Sequence, residues 1–322
     1  MATAALSAAP STPPETRFAR FAWALLAYTL FVILFGAVVR ITASGAGCGQ
    51  HWPSCNGELL QLPHTLKTAI EYGHRFTSGL SVLSLIALTW GAFRVFPRAH
   101  AVRSAAVVAF AMIVVEALIG AALVLLRLVE DDASLARAVV MPLHLLSTAL
   151  LTAAIAWAAY FAAHRETATY ALPKAARLLL IAAGAGILLV SATGAITALG
   201  DTVYPVHGAT LAARVAEDQG AGAHLLQRVR SIHPFLALAV AAFVAYAAAL
   251  LPGYRDTPGV RRASVLLTAC VALQVLAGGV NVWLSAPGIM QVLHLLLANF
   301  TWIALILLVA AARAAEPRKA LG

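Results

Sequence analysis

Charge is what this sequence has least of. Only 11% of its 322 residues are Asp, Glu, Lys or Arg, and just 13 are acids. Soluble domains carry about 25% charged residues, so a water-facing surface around a core of this size is excluded. Three cysteines are too few for a disulfide-stapled secreted scaffold or a four-cysteine zinc site. Residues 1–15 contain no Lys or Arg, which argues against both an Arg-rich transit peptide and the basic start of a cleaved signal. What the chain has in abundance is apolar: 61% hydrophobic residues and a mean hydropathy of +0.87. The solvent for most of it must be lipid, and an all-α integral membrane protein is expected.

Apolar runs of about 20 residues, enough to cross a bilayer, lie near 21–39, 70–93, 105–126, 139–163, 176–198, 232–251, 263–284 and 289–312. Eight crossings divide into an N-terminal four-helix half, 21–165, and a C-terminal four-helix half, 176–313, with tails at 1–20 and 314–322. With both termini on one side, 14 of the 22 basic residues fall on that side with four acids, and the other side holds eight of each. The positive-inside rule then places both termini in the cytoplasm, and with no organellar address the bacterial cytoplasmic membrane is expected. The net charge of +9 has the same explanation and does not call for nucleic acid. Two long loops, 40–69 and 199–231, face outward.

The halves resemble each other. GAVVRITASG at 36–45 aligns with SATGAITALG at 191–200, an offset of 155. EALIGAALV at 116–124 aligns with QVLAGGVNV at 274–282, an offset of 158. Small apolar residues match cheaply in membrane helices, but two pairs in the same order point to duplication. Because each half has four crossings, the halves are related about an axis along the membrane normal, giving two pseudo-symmetric bundles.

Six of the ten histidines fall in loops: His51, His64, His100, His164, His207 and His224. The other four, His74, His144, His233 and His294, each fall in the first two turns of the second, fourth, sixth and eighth crossing. They share one depth near the outer face. Any one of them is accounted for by an interfacial imidazole hydrogen-bonded to a neighbour. As a set they form two facing pairs, and facing imidazoles in a four-helix bundle are suited to bis-histidine haem ligation. Zinc fits less well because neither half offers a third embedded His or Cys. Ion transport fits less well because few acids are buried.

Glu71 stands one turn before His74, whereas Arg230 holds the corresponding place before His233. The carboxylate either orients an imidazole at the interface or relays protons to reacting oxygen. Arg40, Arg75, Arg228 and Arg230 lie at the outer mouths, as interfacial anchors or as partners for haem propionates. Cys48 and Cys55 sit in the first outer loop, where an oxidising compartment favours a disulfide and redox cycling is the alternative. Cys270 has no partner and reads as a small buried hydrophobe.

These residues together resemble the haem A synthase family. The carriers are VRITASG at 39–45, the Cys48–Cys55 loop ending in WPSCNG at 52–57, IEYGHR at 70–75, HLL at 144–146, IHP at 232–234 and HLL at 294–296. The resemblance implies oxidation of a ring methyl of haem O to the formyl group of haem A, for cytochrome oxidase assembly, by monooxygenation with electrons from an external donor. It implies that His74 and His144 face haem O or haem A as substrate and product, that His233 and His294 ligate a resident haem b, and that Glu71 is the essential acid. The haem O synthase and oxidase assembly factors are the implied partners, and a homo-oligomer stays open. Some family members carry a second cysteine pair in the later outer loop, which 199–231 here lacks. The same four histidines would also serve a di-haem b electron carrier or a haem-handling protein, neither of which needs Glu71.

Overall fold

The computed structural model describes residues 13–60, 62–164, 170–205 and 210–314. His207, Arg165, Arg318, Lys319 and most of both expected tails lie outside the described residues. Within them the chain folds into nine helices: α1 (Pro14–Ile41), α2 (Leu66–Val95), α3 (Ala101–Leu125), α4 (Leu135–His164), α5 (Lys174–Val203), α6 (Leu211–Asp218), α7 (Leu225–Tyr254), α8 (Pro258–Trp283) and α9 (Gly288–Arg313). All except α6 are long and apolar enough to span a bilayer. Large side chains such as Leu83, Trp90, Val265 and Leu276 point outward, which only lipid tolerates at this density. The chain is a multi-pass membrane protein.

The eight expected crossings are all present, and their helices begin earlier than the apolar runs do. α7, for instance, starts at Leu225 rather than 232. The reason is capping, which hydropathy does not register. The Thr65 side chain accepts from the Thr68 amide at 3.1 Å to open α2, and Thr257 does the same for α8 ahead of Pro258. His224 opens α7 reciprocally with Gln227. These extra residues place His74, His144 and His233 in the third helical turn rather than the first two, with His294 in the second. α6 was not expected: eight amphipathic residues in the second long loop, packed on α7 and tied to α8 by Arg214, which donates to the Val282 carbonyl at 3.1 Å.

In each half, successive helices pack side by side, α1 through α4 and then α5, α7, α8 and α9. Apolar transfer gives no drive between helices in lipid, so close van der Waals packing has to hold them. The alanine-rich seams permit it: Ala106, Ala109, Ile155, Ala158 and Phe161 form one core, and Ala247, Leu251, Leu267, Leu305 and Leu308 the other. α4 and α9 are the most buried crossings and meet at the centre, where Trp302 Nε1 donates to the Ala149 carbonyl at 2.7 Å. The two four-helix bundles are thus joined across a central α4–α9 seam.

Candidate functional site

Crossings alternate in direction, so the N-terminal ends of α2, α4, α7 and α9 share one face of the protein. That face also carries the first outer loop and α6. The four histidines project from those four helices, and His74 with His144, like His233 with His294, lie within electrostatic reach of each other. Three of the rings press on a glycine. A Cβ on Gly36 would stand 3.1 Å from His74 Cε1, one on Gly194 3.1 Å from His233 Cε1, and one on Gly278 3.0 Å from His294 Cε1. Glycine lets the neighbouring backbone lie flush against an imidazole face.

Gly36 and Gly194 are separated by 194 − 36 = 158 positions, the same offset as the Glu116/Gln274 pair. The structure therefore moves the first repeat alignment from 155 to 158. Small residues had allowed a match three positions out. In this register Phe35, whose ring meets His74 edge-on with centroids 5.7 Å apart, corresponds to Thr193, whose Oγ1 lies 3.0 Å from His233 Nδ1.

The nitrogen partners differ between the halves. His144 Nδ1 lies 2.8 Å from Glu116 Oε2, although its N–H is not aligned on the oxygen, and Ser147 Oγ bonds the other Glu116 oxygen. His294 Nε2 meets Gln274 Nε2 at 3.2 Å. His74 Nδ1 and His294 Nδ1 are buried without a protein partner. Sequence reasoning used Glu116 and Gln274 only as repeat markers. The signal that could have found Glu116 is its isolation as an acid in the apolar stretch of α3, where a carboxylate needs a reason to be.

Glu71 turns toward the first outer loop. Its Oε2 accepts from the Cys48 amide at 2.7 Å, and Oε1 is ion-paired with Arg75. Arg75 also donates to the carbonyls of His51 (2.5 Å) and Ser54 (2.6 Å). Cys48 and Cys55 form a disulfide, both fully buried. The loop closes with a tight turn at Asn56 and Gly57, both at positive φ. A Cβ on Gly47 would stand 2.6 Å from the Lys67 backbone, so only glycine lets the loop lie this close to α2, and there Thr68 Oγ1 donates to the Gly47 carbonyl. Glu71 and Arg75 thus pin the disulfide loop over the end of the bundle that carries His74.

Arg40 reaches from the first half into the second, donating to the Ala198 carbonyl, Thr202 Oγ1 and Gln291 Oε1, each at 2.7 Å. Arg230 is buried, paired with Asp218 and with Asp201 (3.4 Å), and donates to the Tyr204 carbonyl at 2.6 Å. It holds α6 to the bundle, doing for a cysteine-free loop what Glu71 and the disulfide do in the other half. Arg228 is exposed and, among the described residues, donates to the Ala223 and Gly220 carbonyls, at 3.2 and 3.5 Å.

No cluster of three or more His, Cys, Asp or Glu suited to a metal ion occurs among the described residues. Paired imidazoles with buried, unpartnered nitrogens fit a group that brings its own equatorial ligands and asks the protein for two axial ones, as haem does. Fold and site together define a multi-pass membrane protein with two repeated bundles, each presenting a histidine pair at one membrane face. Residues 19–306 match the COX15-CtaA family, cytochrome oxidase assembly protein, and the chain belongs to that family. It is 42% identical over 301 residues to a Thermus thermophilus protein named protoheme IX farnesyltransferase, an alignment covering 94% of this chain and 49% of the relative. It is also 39% identical over 104 residues to the heme A synthase of Geobacillus kaustophilus (32% of this chain, 33% of the relative). With that of Lysinibacillus sphaericus it shares 38% over 105 residues (33% and 34%). The chain spans about half the length of the Thermus relative.

Proposed function

We propose that the protein is a haem A synthase that oxidises the ring methyl of haem O to the formyl group of haem A. The observation that carries this reading is the twofold recurrence of a pair of histidines, within electrostatic reach of each other, at one end of each bundle, in a chain of this family. In the proposed arrangement, His74 and His144 hold the substrate haem in half 21–165. His233 and His294 hold a haem b in half 176–313, which would supply single electrons when bound. Two oxygen insertions, each taking one O₂, two electrons and two protons, followed by loss of water, convert methyl to formyl.

The chain's own residues are assigned accordingly. Glu71 is the acid that holds and moves protons at the substrate's edge, fixed by Arg75 and the Cys48 amide. Arg40, Arg75 and Arg230 have their guanidinium groups occupied by protein partners and act chiefly as struts. Arg228 is exposed and, among the described residues, meets two carbonyls at 3.2 and 3.5 Å, which leaves it best placed for a propionate. The outer face is assigned to the extracytoplasmic side of a bacterial cytoplasmic membrane, with both termini in the cytoplasm.

The farnesyltransferase name of the Thermus relative fits a two-step line. The alignment covers 49% of that relative, so farnesylation is assigned to the part beyond this chain's span and the present chain to the following oxidation, with a haem O synthase and cytochrome oxidase assembly factors as partners. Mass analysis of haems extracted from the purified protein tests the assignment. Haem O or haem A beside haem B is expected, and haem B alone would overturn it in favour of a di-haem electron carrier.

A further inference from the structure

The two halves differ at the residue that meets the histidine of their last helix. At one repeat position, 158 residues apart, stand Glu116 and Gln274. Each side chain faces the histidine on the neighbouring helix, Glu116 facing His144 at 2.8 Å and Gln274 facing His294 at 3.2 Å. The side chain of Glu116 is about 10% exposed, and Ser147 takes up its second oxygen. A carboxylate inside a membrane bundle is costly unless it is put to use.

The contacts fall on different ring nitrogens. Glu116 lies beside Nδ1 of His144, a placement that suits the Nδ1–H tautomer once the ring turns its N–H onto the carboxylate, with Nε2 left to face an iron. Gln274 approaches Nε2 of His294 and brings no charge. A carboxylate behind a ligating histidine raises the electron density of the imidazole and favours the more positive metal state.

We propose that Glu116 is a positioning residue that fixes the His144 tautomer and strengthens it as a donor, so that a haem in half 21–165 is held at a lower reduction potential than the same haem would have with glutamine there. This rests on the reading that His144 is an axial ligand. The duplicated scaffold thereby sets its first haem position apart by a carboxylate beside the Nδ1 of one ligand.

Two measurements on the full chain test it. In protein labelled with ¹⁵N-histidine and embedded in lipid nanodiscs without haem, the His144 signal, assigned with His144→Ala, should report a protonated, strongly hydrogen-bonded Nδ1. Glu116→Gln should abolish that signature, and Glu116→Asp should restore it in part. In protein loaded with ferric protohaem, a redox titration should resolve two components. Glu116→Gln should weaken the ferric-over-ferrous preference of one component about 10-fold, a rise of about 59 mV for one electron. Glu116→Asp should move the same component the same way by less, which keeps the test open if the first variant misfolds. Unchanged nitrogen signals, or potentials unmoved in both variants, overturn the proposal. If protohaem binding is indifferent to His144→Ala, the proposal falls together with the ligand assignment. That outcome is distinct from an intact ligand with an unmoved potential, which removes only the role of Glu116.

Discussion

Replacing Glu71 with glutamine separates the pinning seen in the structure from the proton role proposed for the same carboxylate. In the structure its two oxygens take the Cys48 amide and the Arg75 guanidinium. Glutamine has one carbonyl oxygen, so it can keep the Cys48 amide only by turning its own NH₂ toward Arg75, donor against donor. Arg75 retains the His51 and Ser54 carbonyls, so it is not left wholly unpaired. The loss is then one charge-assisted hydrogen bond, about 2–3 kcal/mol, spent on local opening of the first outer loop rather than on unfolding the bundle. At 1.4 kcal/mol per decade this raises the open population about 30- to 150-fold. The disulfide gives a direct readout, because Cys48 and Cys55 are both fully buried and a reductant must wait for the loop to open. The rate at which a dilute phosphine reduces Cys48–Cys55, followed by alkylation and mass analysis, should rise in Glu71→Gln by that factor. A rate within threefold of the parent protein would refute the pinning role. Haem A formation in the same variant reads out the proton role separately: normal haem A with a loosened loop removes Glu71 from the chemistry.

Three further outcomes are expected. His233→Ala and His294→Ala should each lose a low-spin haem from the optical spectrum of the purified protein, since one axial ligand cannot keep the iron six-coordinate; two parental spectra would remove them from the ligand set. Gly194→Ala puts a methyl 3.1 Å from His233 Cε1 and should weaken haem retention roughly 10-fold, by the measure of disturbed supporting shells. Gly79→Ala, whose methyl meets nothing within 4 Å, should leave retention unchanged and serves as the control. Arg40→Ala removes the tie to Ala198, Thr202 and Gln291 and should destabilise the protein by about 4–5 kcal/mol, three charge-assisted hydrogen bonds at the lower end of their range, visible as a lower thermal midpoint in detergent.

The crossings were legible because lipid imposes one rule on every buried backbone group, and a run of apolar residues records it. Their ends were less so. Thr65, Thr257 and His224 extend helices into the interface by side-chain capping, which leaves no hydropathy trace. α6 escaped because eight residues with one apolar side look like any loop. The histidines stood out as polar groups at matched positions, yet their partners did not. Whether residue 116 meets residue 144 depends on the rotational phase of two helices, and a sequence states composition, not phase. Glu71 was read along its own helix, toward His74, and Arg75 as an interfacial anchor or propionate partner, whereas both hold a loop some twenty residues upstream.

Arg40 has one more implication, which concerns ancestry. In the 158 register its counterpart is Ala198, and it is the Ala198 carbonyl that Arg40 grips. A residue touching its own repeat image sits beside the axis relating the halves. Two separate identical chains assembled about such an axis must place the same side chain there twice. With arginine at both positions two guanidinium groups would confront each other, and with alanine at both there would be no clasp. Joining the copies in one polypeptide lifts that constraint, because each copy can then change alone. The fused chain holds a lock on one side and its keyhole on the other, an arrangement a strict homodimer has no way to encode.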